Sequence, residues 1–320
     1  MQRVCHIPGS KLVPGSKPAA RAAAIAFCIA SMAPSAFAYE TDPYTNRHLA
    51  IEDSQETMDA RVNLALLEVA DGWSRGEDER AFVRAVYRKL GGIHWVDKYE
   101  RWLIESEEIE KLKNSRKASV YKGVPLYANR VAGIFGFGPT LKVAGVYVGT
   151  DKFGHFFSQG RKFFERFVRM GDEAEAAKRS AYTESALFGQ ITTGVYSNAD
   201  VVANFEGYRF YRSLFRANPD LPKPPIFEWR NGVPQTQRAF TWSDHINDFW
   251  DEAINANHFD RVLRPIMLRQ LLGFCNQFLQ FPNLYASGDA DSLWQRYAHI
   301  GLRDTRDLSA DVYLAANCNR

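Results

Sequence analysis

Two segments of the sequence carry polar side chains four residues apart within otherwise apolar stretches. Asp151 and His155 form the first pair, and Asp200 and Asn204 form the second. On an α-helix this spacing places both members of a pair on one face, one turn apart. An unpaired buried polar group costs on the order of 1–3 kcal/mol. We therefore expect the two helices to face each other and to satisfy each other's polar groups.

Three kinds of chemistry are compatible with this cluster. The first is a divalent-metal site on facing helices. Its candidate ligands are Asp151, His155, Glu184 and Asp200. The second is acid–base hydrolysis, with His155 as the base, oriented by Asp151 or Asp200. The third is a buried hydrogen-bond network that fixes the register of the helices. In each case Lys152, Glu184, Ser197 and Asn204 are candidate ligand-binding or network residues.

No motif in the sequence decides between these chemistries. The paired Glu-x-x-His motifs of di-iron bundles are absent from the sequence. The Gly-x-Ser-x-Gly turn that carries the serine nucleophile of α/β-hydrolases is absent as well. Whether the chain is an enzyme, and whether it uses a divalent metal as cofactor, therefore stay open at this point.

The elements that position these groups are predicted to be mainly helical. Apolar residues recur with the helical period along much of the chain. The segment 151–170 carries six phenylalanines around nearly its whole circumference, as is typical of a buried helix. Residues 120–150 instead mix glycines with β-branched and aromatic residues. We predict a mainly α-helical fold, namely a helical bundle core, a short β-hairpin or irregular Gly/Phe-rich insertion, and a helical C-terminal extension.

The beginning of the chain has the pattern of a signal peptide. A basic segment is followed by the short apolar core Ala22 to Met32 and by Ala36-Phe37-Ala38, which fits the small-x-small cleavage rule. We predict cleavage after Ala38 and a periplasmic or secreted protein.

Four regions follow from these patterns. Residues 1–38 are the signal peptide, 39–217 the helical core with the polar site, 218–240 a proline-rich strap, and 241–320 a helical extension packed on the core. Within the extension, Trp242 to Asn257 and Phe259 to Leu279 are each predicted to be helical.

Two cysteines, Cys275 and Cys318, remain once the leader is removed. An even pair in an oxidising compartment predicts one structural disulfide that ties the C-terminal tail to the helix carrying Cys275. The alternative is two free buried thiols.

Charge and hydropathy limit the expected partners. The leader holds four basic residues and no acidic one, so the rest of the chain is close to neutral although the whole sequence has a net charge of +3. A near-neutral balance argues against a nucleic-acid partner. Outside the leader no apolar run is long enough for a transmembrane helix. Phe135 and Phe137 are either a membrane-touching tip, and so a peripheral membrane contact, or core aromatics. The sequence does not indicate the oligomeric state.

The polar segments resemble the helix-pair signature of VanZ-like proteins and of related small periplasmic lipoproteins. The matching positions are Asp151-Lys152-x-x-His155-Phe156 and Ser197-x-x-Asp200-x-x-x-Asn204-x-x-Gly207, within about 57 of the 320 residues. VanZ-like proteins span membranes and are linked to the envelope and to glycopeptide tolerance, whereas this chain has large flanking regions and no predicted span. The resemblance implies a shared polar site and an envelope setting.

Three alternative functions are therefore considered, in order of preference. The leading one is an exported cell-envelope protein whose polar site between helices binds an envelope lipid or glycan. The first alternative is a metal-assisted hydrolase of envelope lipids or glycans, with Asp151, His155, Glu184 and Asp200 as ligands or acid–base groups. Asp151, His155 and Asp200 are its candidate catalytic residues. The second is a structural protein with a buried hydrogen-bond network.

Overall fold

The computed structural model describes residues 40–92, 96–124, 137–183, 194–219, 221–303 and 314–318. The structural statements that follow concern these residues. The predicted signal peptide (1–38), Glu184 and most of the Gly/Phe-rich insertion, including Phe135, lie outside them. The fold is mainly α-helical, with only short two-stranded sheets, as the apolar periodicity predicts.

The helices are distributed along the whole described chain. They are α1 (Gln55–Asp71), α2 (Glu79–Leu90), α3 (Lys98–Glu105), α4 (Asp151–Gly154), α5 (Gly160–Met170), α6 (Glu173–Thr183), α7 (Asn198–Ser213), α8 (Arg264–Leu272), α9 (Cys275–Gln280), α10 (Ala290–Tyr297) and α11 (Leu314–Cys318). Each of these described helices is too short or too polar to cross a lipid bilayer.

The strands pair two by two. They are β1 (Glu40–Thr41), β2 (Phe137–Gly138), β3 (Thr140–Val143), β4 (Val146–Gly149), β5 (Val195–Tyr196), β6 (Phe227–Arg230), β7 (Val233–Thr236) and β8 (His258–Phe259). β1 pairs with β2 in parallel, and β5 pairs with β8 antiparallel. β3 and β4 form the hairpin predicted within residues 120–150. β6 and β7 form a second hairpin inside the proline-rich strap.

The central helix is continuous but changes its winding. α4 passes into a π-helical segment, His155–Gln159, and this segment passes into α5. The helix ends at Gly171, whose φ of +71° is the left-handed conformation that favours glycine after a helix. Phe153, Phe156 and Phe157 on this helix are fully buried, as the phenylalanine-rich pattern predicts. π-helical turns are often found at functional sites, and this one begins at His155.

The central helix crosses α7 at two glycines. A Cβ added to Gly160 would lie 2.5 Å from the Cα of Gly207, and a Cβ on Gly207 would overlap the backbone carbonyl oxygen of Phe156. Real Cβ atoms do not approach backbone atoms this closely. The two backbones therefore touch because neither glycine carries a side chain, and this contact brings the polar faces of the two helices together.

The segment directly after residue 240 is part of the core around the central helix. Trp242 is fully buried, and its ring centroid lies 4.9 Å from that of Phe153 and 4.8 Å from that of Phe156. The Trp242 indole N–H donates a hydrogen bond to the Tyr99 hydroxyl at 3.0 Å. The described residues from 40 to 318 belong to one compact unit.

The predicted helix from Trp242 to Asn257 is wrong. This stretch contains two short 3₁₀ turns, Trp242–Asp244 and Asp248–Trp250. The side chain of Asn247 accepts a hydrogen bond from the Phe249 backbone N–H, and that of Asp251 accepts one from the Ala253 N–H. Such local side-chain bonds compete with helical hydrogen bonds and stop a helix from propagating.

The predicted single helix from Phe259 to Leu279 is also corrected. The structure has two helices here, α8 and α9, which are separated at Gly273, and Phe259 belongs to β8. The carboxylate of Asp260 accepts the backbone N–H groups of Val262 and Leu263 at 2.8 Å each. This turn ends the β8 segment before α8 begins.

A disulfide joins Cys275 at the start of α9 to Cys318 in α11, with 5.1 Å between their Cα atoms. The predicted pairing of the two cysteines is confirmed. The bond fastens the short α11, where Leu314 is buried, to the helices before it.

Candidate functional site

The polar site is built around the ammonium group of Lys152. Its Nζ lies 2.6 Å from Asp151 Oδ2, 2.5 Å from Asp200 Oδ1 and 2.6 Å from Glu252 Oε1. An ammonium has three hydrogens to donate, so each carboxylate takes one. The Lys152 side chain is only 1% exposed. These four residues are called the Lys152 cluster below.

Lys152 is charged in the folded protein. Burial alone would lower the pKa of its ammonium, but the charges of Asp151, Asp200 and Glu252 outweigh burial and hold the pKa well above its ordinary value. A permanently protonated amine cannot act as a general base. Lys152 therefore serves as a fixed positive charge that holds three carboxylates together.

Hydroxyl groups donate hydrogen bonds to two of the three carboxylates. The Thr41 hydroxyl donates to Asp151 Oδ1 at 2.7 Å, and the Ser197 hydroxyl donates to Glu252 Oε1 at 2.8 Å. Ser197 is also the N-cap of α7, because its Oγ accepts the Asp200 backbone N–H at 3.1 Å. The predicted site residue Ser197 thus links the start of α7 to the Lys152 cluster.

His155 lies at the edge of the cluster. Its Nδ1 is 3.1 Å from Asn204 Oδ1, and its Nε2 is 3.4 Å from Asp200 Oδ2. The His155 and Asp200 side chains are 11% and 14% exposed, more than the other three charged groups of the site. The two predicted pairs therefore face each other across the helices, and the open side of the site is the side of His155 and Asp200.

One member of the cluster was not predicted from the sequence. Glu252 lies in the irregular segment after the proline-rich strap, within the region predicted to be a helical extension packed on the core. Its neighbour Asp251 pairs with the buried Arg47. Two acidic residues directly after the buried Phe249 and Trp250 are the signal that indicates an inward-facing carboxylate here. Glu184, the remaining predicted ligand, lies outside the described residues.

The three carboxylates of the Lys152 cluster are also possible ligands of a metal ion. Asp151, Asp200 and Glu252 each offer an oxygen, and these oxygens lie within 4.8 Å of one another. Carboxylate oxygens suit hard divalent cations. However, the Lys152 ammonium already contacts one oxygen of each carboxylate. A divalent cation among these carboxylates would lie close to the ammonium, and the repulsion between the two positive charges opposes its binding.

A further buried carboxylate, Asp97, contacts the π-helical segment. Its Oδ2 accepts a hydrogen bond from Ser158 at 2.6 Å, whereas its Oδ1 has no hydrogen-bond partner among the described residues. Burial raises the pKa of the Asp97 carboxyl to about 7, against the opposing effect of the Ser158 hydrogen bond. Asp97 is therefore a protonatable group near physiological pH.

We expect Asp97 to make folding stability fall as the pH rises. Between the pKa of an unfolded aspartate, roughly 4, and the folded value of about 7, the folded state binds one proton more than the unfolded state. The free energy of unfolding then decreases by at most about 1.4 kcal/mol per pH unit in this window and levels off above it. Urea unfolding of the wild type and of Asp97→Asn from pH 5 to pH 8 measures this effect.

Asp97→Asn should gain stability relative to the wild type as the pH rises, because the asparagine side chain has no proton to lose. Asp71→Asn, at an exposed site, is the matched control and should keep a constant difference from the wild type. Parallel pH profiles of Asp97→Asn and the wild type would contradict the assignment.

The site contains the residues on which the family resemblance rests. The structure brings together the six polar residues of the resemblance to VanZ-like proteins, which are Asp151, Lys152, His155, Ser197, Asp200 and Asn204. Comparisons with protein-family models, curated proteins and solved structures gave no match.

Proposed function

We propose that the chain is an exported cell-envelope protein that binds a neutral or amine-bearing glycan at the open edge of the Lys152 cluster. The observation that carries this proposal is the unequal charge of the site. Three carboxylates surround one ammonium, and the edge that reaches solvent is formed by His155 and Asp200. The signal-peptide pattern and the resemblance to VanZ-like proteins support the envelope setting.

The charge of the site selects among envelope ligands. Asp151, Asp200 and Glu252 carry three negative charges against the one positive charge of Lys152, so an excess of negative charge remains while His155 is neutral. An anionic phospholipid headgroup would be repelled by this excess. Sugar hydroxyl groups both donate and accept hydrogen bonds, and they match a carboxylate and an imidazole side by side. Amino groups on a sugar would add attraction.

Calorimetric titration of the purified protein tests the proposal. The probes are tetramers of N-acetylglucosamine and of glucosamine, with phosphatidylglycerol vesicles as the lipid probe. We expect binding of a tetramer and at least about tenfold weaker binding by Asp200→Asn and His155→Gln, since each change removes a charged or polar contact. His48→Gln, at an exposed imidazole, is the control and should bind like the wild type.

Absence of tetramer binding, or equal binding by all four proteins, would refute the glycan site. Binding to the vesicles with the same dependence on Asp200 and His155 would replace the glycan by a lipid headgroup. Thermal melting of each variant shows that any loss of binding is not a loss of fold.

A metal-assisted hydrolase is the second candidate, favoured by the three carboxylate oxygens within 4.8 Å of one another. Elemental analysis of the same preparations tests it. Stoichiometric zinc, iron or manganese that is lost in Asp200→Asn would put this candidate first. No metal and no glycan, together with a loss of stability in Asp200→Asn, would indicate that the cluster is a buried structural network.

A further inference from the structure

A pocket that is separate from the Lys152 cluster has a lining rich in cationic side chains. It is a cavity of about 390 Å³ whose wall includes three arginines, Arg209, Arg212 and Arg296, with His299, Glu173 and Phe205. The volume falls within the range usual for small-molecule sites, roughly 300–1,000 Å³. All of these residues belong to the described part of the chain, and none of them belongs to the Lys152 cluster.

The helices place the arginines on one side of the pocket. Arg209 and Arg212 are three residues apart on α7 and therefore share a face of that helix. Arg296 lies in the last turn of α10 and His299 in the 3₁₀ turn that follows it. Arg209 is almost fully buried, whereas Arg296 and His299 are 33% and 43% exposed. Arg209 thus forms the inner end of the pocket and His299 its rim.

Two carboxylates hold the guanidinium groups in position. Glu206 is fully buried, and its Oε1 accepts hydrogen bonds from Arg209 Nη1 at 2.7 Å and from Arg296 Nη2 at 3.0 Å. Glu173 Oε2 accepts one from Arg212 Nη1 at 3.1 Å. A guanidinium has five N–H donors, so these bonds orient the arginines without using all their donors.

Part of this donor capacity is buried and unused. The Nε atoms of Arg212 and Arg296 are buried without a hydrogen-bond partner among the described residues. A buried unsatisfied donor is costly and calls for a partner. The three arginines also exceed the two carboxylates, Glu206 and Glu173, by one positive charge.

We infer that this pocket binds a phosphate monoester, either a soluble phosphate ester or the headgroup of a phospholipid. The guanidinium group matches the geometry of phosphate oxygens with paired N–H donors, which an ammonium cannot do. The buried Phe205 ring beside Arg209 provides an apolar surface for the organic part of the ligand. The opposite charge of the two sites means that this inference does not depend on glycan binding at the Lys152 cluster.

Calorimetric titration with sn-glycerol 3-phosphate and with inorganic phosphate tests the soluble source. Co-sedimentation with phosphatidylcholine vesicles that contain phosphatidic acid tests the lipid source. We expect the wild type to bind at least one of them, and Arg212→Gln and Arg296→Gln to bind it at least about tenfold more weakly, as for the loss of a charge-assisted bond. Arg216→Gln is the matched control, since Arg216 is an exposed arginine paired with Glu79, and it should bind like the wild type.

The inference fails if the wild type binds none of the three probes, or if the two pocket variants bind as tightly as Arg216→Gln. If a glutamine variant does not fold, Arg212→Lys takes its place. Lysine keeps the charge but loses the paired donors, so binding several-fold weaker than wild type is expected, and unchanged binding would overturn the inference.

Discussion

Replacement of Lys152 by methionine is expected to lower the free energy of unfolding by about 3–5 kcal/mol, the cost of removing one partner from a buried ion pair. Methionine fills a similar volume but leaves Asp151, Asp200 and Glu252 facing one another without a cation. Like charges at this distance in a buried site repel strongly. Urea unfolding at pH 7 measures the loss, and unfolding at a lower pH should recover part of it, because carboxylates that repel one another take up protons.

Lys89→Met is the matched control for this experiment. Lys89 pairs with Glu68 at 2.8 Å, but both side chains are about half exposed. Such surface pairs contribute roughly 0–1 kcal/mol. The double variant Lys152→Met with Asp200→Asn should be more stable than Lys152→Met alone, since one of the three unpaired charges is gone. A loss for Lys152→Met no larger than that for Lys89→Met would show that the Lys152 cluster does not stabilise the fold.

Substitution of Gly207 by alanine is expected to destabilise the protein by about 3 kcal/mol or more, at the upper end of overpacking effects. The added Cβ would overlap the carbonyl oxygen of Phe156, and a backbone atom cannot move aside as a flexible side chain can. Alanine has the higher helix propensity by about 1 kcal/mol, so propensity alone predicts the opposite sign. Thermal and urea unfolding measure the sign of the stability change, and this sign shows whether overpacking or helix propensity has the larger effect.

Gly288→Ala provides the control for Gly207→Ala. A Cβ at Gly288 meets no atom within 4 Å, and its φ is not in the left-handed region. We expect a change of less than about 0.5 kcal/mol there. If Gly207→Ala were as stable as wild type, the close contact between the central helix and α7 would be disproved. A folded but shifted Gly207→Ala protein should also lose the alignment of His155 with Asn204.

The facing of the two polar helices could be predicted because the information is local. The spacing of Asp151 with His155 and of Asp200 with Asn204 fixes one face of each helix, and the cost of unpaired polar groups then requires a partner face. The same local reasoning found the hairpin of β3 and β4 and the disulfide. Their signals are turn residues and a single cysteine pair.

The contribution of Glu252 could not be predicted from such signals. Glu252 lies in a segment without helical period, and its approach to Lys152 depends on the packing of Trp242 and Trp250 in the core. The helix predicted from Trp242 to Asn257 does not form, because the side chains of Asn247 and Asp251 accept hydrogen bonds from nearby backbone N–H groups. Short-range patterns do not show which of two local hydrogen-bonding schemes the tertiary fold selects.

The long-range partners of the Lys152 cluster also constrain the order of folding. Thr41 is 110 residues from Asp151, Ser197 is 55 residues from Glu252, and the neighbouring Arg47 is 204 residues from Asp251. Lys152 is next to Asp151 in the chain, whereas Glu252 lies a hundred residues later. Contacts this distant in sequence form slowly, so we expect the third carboxylate, and with it the closed cluster, to be added in a late step of folding.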